Sequence, residues 1–135
     1  MKIGYILLAA LIIALVVAYF TWDSVNATEI TAQALAKEYT SNMEAANKKY
    51  LNKVLDIEGN VKAYYMMLGA RPVLELETGE GNVPVFFFFL DQETETEAGQ
   101  LQSEQKVVIR GRCVGENEYS FVNGLKIEVE KIVEK

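Results

Sequence analysis

Two sets of side chains in this sequence have the types and spacing that chemistry needs. The first is acidic: Glu75 with Glu77, Asp91 with Glu93, and the run Glu93, Glu95, Glu97. Residues two apart on a strand share a face, so Glu75 and Glu77 would stand together as the acid and base of a two-carboxylate hydrolysis do. Leu74 and Leu76 alternate with them, however, and that pattern marks the two acids as the wet face of a half-buried strand. The Glu93 to Glu97 acids could offer oxygens to a hard cation, but they lack the spacing of a calcium loop. The chain has no histidine and one cysteine, Cys113, which removes Ser-His and Cys-His pairs, internal disulfides and most transition-metal sites. Cys113 falls in the alternation Val107, Ile109, Gly111, Cys113 and is expected in the core. No enzymatic activity, metal or cofactor is expected.

The second set is basic and aromatic. Arg110 and Arg112 share one strand face, and Tyr64, Tyr65, Phe86 and Phe88 could join them as a binding face. Cations beside flat rings on an exposed sheet suit single-stranded nucleic acid. The charge balance opposes this, because all 19 acids but only 12 of the 13 bases follow Phe20, leaving that part at −7. Such a domain repels phosphate backbones. A protein partner on the same face ranks first, a small ligand or oligosaccharide second, and nucleic acid is an unlikely third.

The elements that would position these residues begin with a membrane-directed segment. Ile3 to Phe20 reads IGYILLAALIIALVVAYF without a charge, and 18 residues at about 1.5 Å each reach ~27 Å, near the thickness of a bilayer core. Tyr5, Tyr19 and Trp22 sit near its ends, and Lys2 precedes it. The positive-inside bias places the N-terminus in the cytoplasm and the rest outside. Residues 1–22 are therefore read as a single-pass transmembrane anchor. A cleaved signal peptide ending at Ala27 competes with it, because Val25-Asn26-Ala27 has suitable residues for a peptidase. Asn26-Ala27-Thr28 is a formal glycosylation sequon.

Residues 23–30 read as a tether and 31–135 as one domain. Thr31 is a fair N-cap for a single helix over 32–47, whose Leu35, Tyr39, Met43, Ala46 and Tyr50 form one apolar stripe. The period then changes to two. Strands are expected over Leu55–Ala63, Arg71–Glu77, Val83–Leu90, Lys106–Val114 and Tyr119–Val133, the last kinked or split at Asn123-Gly124. TGEGN at 78–82 reads as a hairpin connection, 91–105 as a loop or short helix crossing a sheet end, and 115–118 as a turn. VPVFFFFL at 83–90 is apolar on both faces, and the helix stripe is expected to cover whichever set does not fill the core; an apolar contact surface is the alternative.

One echo points to the fold. VLDIEGNV at 54–61 and VVIRGRCV at 107–114 share an apolar-x-Gly-x-apolar pattern, as two strongly bent strands would. A mainly β, five-stranded OB-like barrel preceded by one amphipathic helix fits the strand count, the glycines and the interruption before the fourth strand. With Tyr39, Asn42, Ala45 or Ala46, and Tyr50 ahead of Lys53–Val61, and Val107–Gly115 later, the chain resembles the tRNA_anti-like, exported OB-fold proteins of bacteria. The resemblance covers nearly all of the part after the anchor, on core and bend positions. It implies a fold without an assigned activity.

Overall fold

The alternation that begins at Leu55 belongs to a sheet that closes on itself. The computed structural model describes residues 2–25, 27–66, 71–117 and 124–135, and the side chains of all of these except 19–25 and 117. In chain order the elements are α1 (Lys2–Val25), β1 (Thr28–Thr31), α2 (Ala32–Ser41), α3 (Met43–Tyr50), β2 (Val54–Met66), β3 (Pro72–Leu76), β4 (Val85–Phe89), α4 (Gln92–Gly99), β5 (Lys106–Asn117) and β6 (Gly124–Glu134). The strand order is β1-β2-β3-β4-β6-β5, and β5 pairs back onto β2. β2 to β6 thus form the expected five-stranded OB-like barrel, with β4 and β6 parallel and its other pairs antiparallel.

Closure depends on two bends. β2 pairs with β5 over Val54–Asn60 and with β3 over Val61–Met66, with a register shift between Val61 and Ala63. At the changeover, a Cβ on Gly59 would lie 3.2 Å from both Ala32 Cβ and Leu76 Cδ1. On β5 the bend is at Gly111, where a Cβ would meet Ile127 Cγ2 at 2.5 Å and the Glu128 carbonyl oxygen at 2.7 Å. The register of β5 against β6 slips between Arg110 and Gly111. Both glycines of the echo therefore mark places where another chain segment fills the side chain's space.

The barrel interior takes alternate residues from every strand, including Leu55, Ile57, Leu74, Leu76, Phe87, Ile109 and Ile127, all fully buried. Val85, Phe87 and Phe89 are the inward set of the apolar strand. The segment Ala32–Tyr50 closes the barrel mouth as two helices, not the single one expected. Asn42 turns out of helical geometry (φ −159°, ψ 96°), and its side chain accepts from the Ala45 N–H at 3.0 Å to cap α3. A short amide side chain that bonds nearby backbone favours such a break. The stripe survives it: Leu35, Tyr39, Ala46 and Tyr50 are buried within the interior cluster, while Met43 is 47% exposed. Contrary to expectation, the stripe plugs the barrel and does not cover the outward phenylalanines; Phe86 lies outside that cluster.

Other expectations also change. Thr28–Thr31, read within or beside a tether, is a strand parallel to β2. β5 already occupies one edge of Val54–Asn60, so β1 uses the other, in line with β3. β5 continues through the predicted turn at 115 to Asn117, pairing Gly115 with Lys126. Residues 91–105 do contain a short helix, α4, capped by Asp91, whose Oδ1 accepts from the Thr94 N–H at 2.7 Å. The helix expected at the N-terminus is present as α1. Among the described residues, whose side chains in α1 stop at Ala18, no helix is long and apolar enough to cross a membrane. Asn26, with the cleavage site and sequon, and the stretch from Glu118 to Asn123 lie outside the described residues.

Gly111→Ala should lower stability by about 1–3 kcal/mol, as overpacking against backbone does, whereas Gly4→Ala, with nothing within 4 Å, should leave the barrel's urea midpoint unchanged. Equal midpoints for the two variants would contradict close approach at Gly111.

Candidate binding face on the outer sheet

Cross-strand partners share a face, so the register assembles the outer surface row by row. Tyr65 stands level with Val73, Phe88, Glu128 and Arg112 on β3, β4, β6 and β5. The adjacent row is Ala63, Glu75, Phe86 and Lys126. Tyr65, Phe86, Phe88 and Arg112 of the predicted set therefore all point outward, with Tyr65 and Arg112 each two strands from Phe88. Tyr64 does not: it points to the other side, with its ring 6.4 Å from that of Phe89 and its hydroxyl donating to the Glu95 carbonyl at 3.4 Å. Arg110 is outward too, but near the β2 edge.

The cations of this surface already have partners. Arg110 forms a two-pronged pair with Asp56, Nε and Nη2 donating at 2.8 and 3.0 Å, and both side chains are largely buried. Arg112 donates to the Asn52 carbonyl oxygen. Lys126 lies with its Nζ 4.8 Å from the Phe88 ring centroid, a cation over a negative ring face. Glu75, read as a solvated acid, is instead 12% exposed and bonded to Lys62 at 3.3 Å and the Tyr65 hydroxyl at 3.2 Å. Burial and the Glu75 charge push the Tyr65 phenol up to about 12. Glu77 is exposed, so the supposed carboxylate pair is divided between two environments.

The apolar content is graded. Phe86 is buried, Phe88 and Tyr65 are half-buried, and Leu90, next along β4, is 61% exposed. The result is an apolar strip with Lys126, Glu75 and Glu128 beside it. Sequence reading missed Lys126, Glu128 and Leu90 as members. The alternation of Lys126 and Glu128 was visible, but the β4–β6 pairing that brings them to Phe86 and Phe88 joins strands far apart in the chain.

Elsewhere, Lys37, Glu38, Ser41, Asn42, Ala45, Ala46 and Lys49 line a concavity of about 330 Å³ at the α2–α3 elbow. Its carboxylate, Glu38, is engaged by Lys49 at 2.9 Å and by the Tyr50 hydroxyl; the bond from Tyr50 and the Lys49 contacts hold its pKa low against the effect of burial. Inside the barrel, the Tyr39 hydroxyl and Cys113 Sγ share a 3.3 Å hydrogen bond. Burial pushes the Cys113 thiol up, which makes it a poor nucleophile. Among the described residues no three acidic, histidine or cysteine side chains gather as metal ligands.

With the barrel and α4 between β4 and β5 established, the matching family model is decisive: tRNA_anti-like, over residues 1–124. The chain belongs to the tRNA_anti-like family. No curated protein matches this tRNA_anti-like chain. Among solved structures it is similar to a lipoprotein from Klebsiella pneumoniae subsp. pneumoniae MGH 78578, provisionally named nucleic acid-binding (TM-score 0.55, 14% identity, 80% of this chain and 95% of that one). It is also similar to an aspartyl-tRNA synthetase, provisionally so named, from Leishmania major Friedlin (TM-score 0.54, 16% identity, 82% of this chain). The tRNA_anti-like chain spans only 21% of that synthetase. A third neighbour is an OBody bound to hen egg-white lysozyme (TM-score 0.50, 18% identity, 71% of this chain and 92% of that one). At these identities the likeness is one of fold.

The Tyr65 environment has an alkaline signature. Its folded-state pKa is above the ordinary value near 10, so the unfolded chain ionises first; the stability it contributes is present below pH 10 and lost as pH rises towards 12. The loss should be on the order of 1–2 kcal/mol, and Tyr65→Phe should remove that part of the decline in a pH series of urea melts. In the same tRNA_anti-like domain, Asp56→Ala should cost about 1.5–3 kcal/mol by stranding Arg110, with a double-mutant cycle to Arg110→Ala recovering a coupling of similar sign.

Proposed function

We propose that this tRNA_anti-like protein is a non-enzymatic binding module, held at a membrane by α1, whose outer sheet face docks a protein partner. One observation carries the choice of partner: the face unites Tyr65, Phe88 and Leu90 while Arg110 and Arg112, the bases that would meet a phosphate backbone, are engaged with Asp56 and Asn52. An apolar centre with a polar rim is the anatomy of a protein interface. The net charge of −7 after Phe20 supports the same reading, since phosphate binding draws its affinity from unpaired bases. That an OB barrel can engage a protein is what the name of the lysozyme-bound neighbour says of that barrel.

The anchoring part of the proposal rests on the sequence. The charge-free run Ile3–Phe20, preceded by Lys2, lies within the 24 residues of helix α1. Helices of about 17–25 apolar residues span bilayers, and the basic N-terminal flank favours a cytoplasmic N-terminus with the barrel outside.

A photocrosslinking residue at Leu90 should trap a protein in intact cells, whereas one at Lys106 on the far part of β5 should not. Phe88→Ser should keep the unfolding free energy from urea melts within about 2 kcal/mol of the parent while weakening the trapped complex tenfold or more, as loss of an aromatic anchor does. Salt-sensitive binding of single-stranded oligonucleotides that Phe88→Ser abolishes would replace the protein by nucleic acid. For anchorage, the chain should stay with membranes after alkaline washing and retain its original N-terminus; a mature protein starting at Thr28 would overturn the anchor.

A further inference from the structure

A second surface follows from how little chain separates α1 from the barrel. Val25 ends α1 and Thr28 begins β1, so three Cα–Cα steps of about 3.8 Å let the barrel lie no more than roughly 11 Å from the helix end. β1 is parallel to β2 with Thr28 level with Leu55. Going back from Thr28 towards α1 therefore runs alongside β2 towards Val54 and Lys53. The rim that faces the helix end is thus the α3–β2 turn.

Four of the twelve bases that follow Phe20 lie at that rim. Lys48 and Lys49 lie in the last turn of α3, Lys53 follows at the mouth of β2, and Arg112 is bound to the Asn52 carbonyl beside them. Lys53 is exposed and has no ion-pair partner among the described residues. Lys48 has only a loose contact with Glu44, 3.8 Å apart with both side chains at least 80% exposed. Leu51, 38% exposed, stands between these lysines. The opposite end of the β2–β5 ladder, where Asn60 meets Lys106, carries Glu93, Glu95 and Glu97 on α4 and Glu104, whose N–H bonds the Val61 carbonyl, together with Lys135, which pairs with Glu97. The rim thus presents two exposed lysines with a loose ion pair or none, Lys48 and Lys53, on the side towards the anchor.

We infer that the α3–β2 rim, through Lys48, Lys53 and Leu51, rests on an anionic lipid surface and fixes the barrel upright on the membrane. The inference depends on α1 being embedded as proposed above. Lysines within a Debye length of anionic headgroups are attracted, each by roughly fivefold in partitioning, and a large aliphatic side chain between them suits the interfacial layer. The acidic α4 end, repelled by the same surface, points away.

The test uses the full chain in nanodiscs of phosphatidylcholine alone or with one third phosphatidylglycerol, probed by a water-soluble amine-modifying reagent and mass spectrometry. Lys48 and Lys53 should become at least threefold less reactive than Lys106 and Lys135 in the anionic discs, and the difference should shrink in neutral ones. Lys48→Glu/Lys53→Glu, both at exposed positions, should leave disc incorporation intact and make the remaining Lys49 equally reactive in both lipids. A chain that enters the discs with Lys53 as reactive as Lys106 in both lipids would overturn the rim inference and leave the anchor standing. A chain that fails to enter any disc would overturn the anchor, and the rim contact with it.

Discussion

β2 has 13 residues and serves two ladders, and the molecule depends on its doing so. Its first half hydrogen-bonds β5 and its second half β3, so the strand must change direction between them for the sheet to close. Gly59 sits at that point against Ala32 and Leu76, and Gly111 provides the matching close approach of β5 to β6. A closed sheet leaves no barrel edge unpaired along its bonded registers. It also divides every strand into an inward and an outward set, and each later feature inherits that division.

The inward set needs a lid because a five-stranded barrel is open at its ends. α2 and α3 supply it with Leu35, Tyr39, Ala46 and Tyr50, and the Tyr39 hydroxyl finds Cys113 as its partner in an otherwise apolar interior. A buried hydroxyl without a partner would cost about 1–3 kcal/mol. Once the stripe is committed to the mouth, it is unavailable to shield the outer face. Phe88 and Leu90 therefore keep some exposure, and the outward row becomes the part of the fold best suited to contact another molecule.

Charge on that outer face is arranged in local pairs. Asp56 with Arg110 and Glu75 with Lys62 and Tyr65 neutralise one another across neighbouring strands. Pairing across strands stabilises the sheet.

The amino-acid sequence by itself determined the period-two strands, the Thr31 cap, the hairpin at 78–82, the two glycine bends and, from these, the OB-like class. Each is local: it depends on side chains within a few residues, whose spacing carries the physics directly. It also determined the apolar run in α1 and the acidic balance after it. The division of helix 32–47 at Asn42 was less legible, because a residue that can cap can also sit quietly on a helix surface. Only the tertiary structure decided which half of VPVFFFFL faces inward, that Tyr64 and Tyr65 part to opposite sides, and that Arg110 is neutralised by Asp56, 54 residues away. Those outcomes depend on the register between strands distant in the chain, where a shift of one residue exchanges the two faces, and no local pattern encodes that shift.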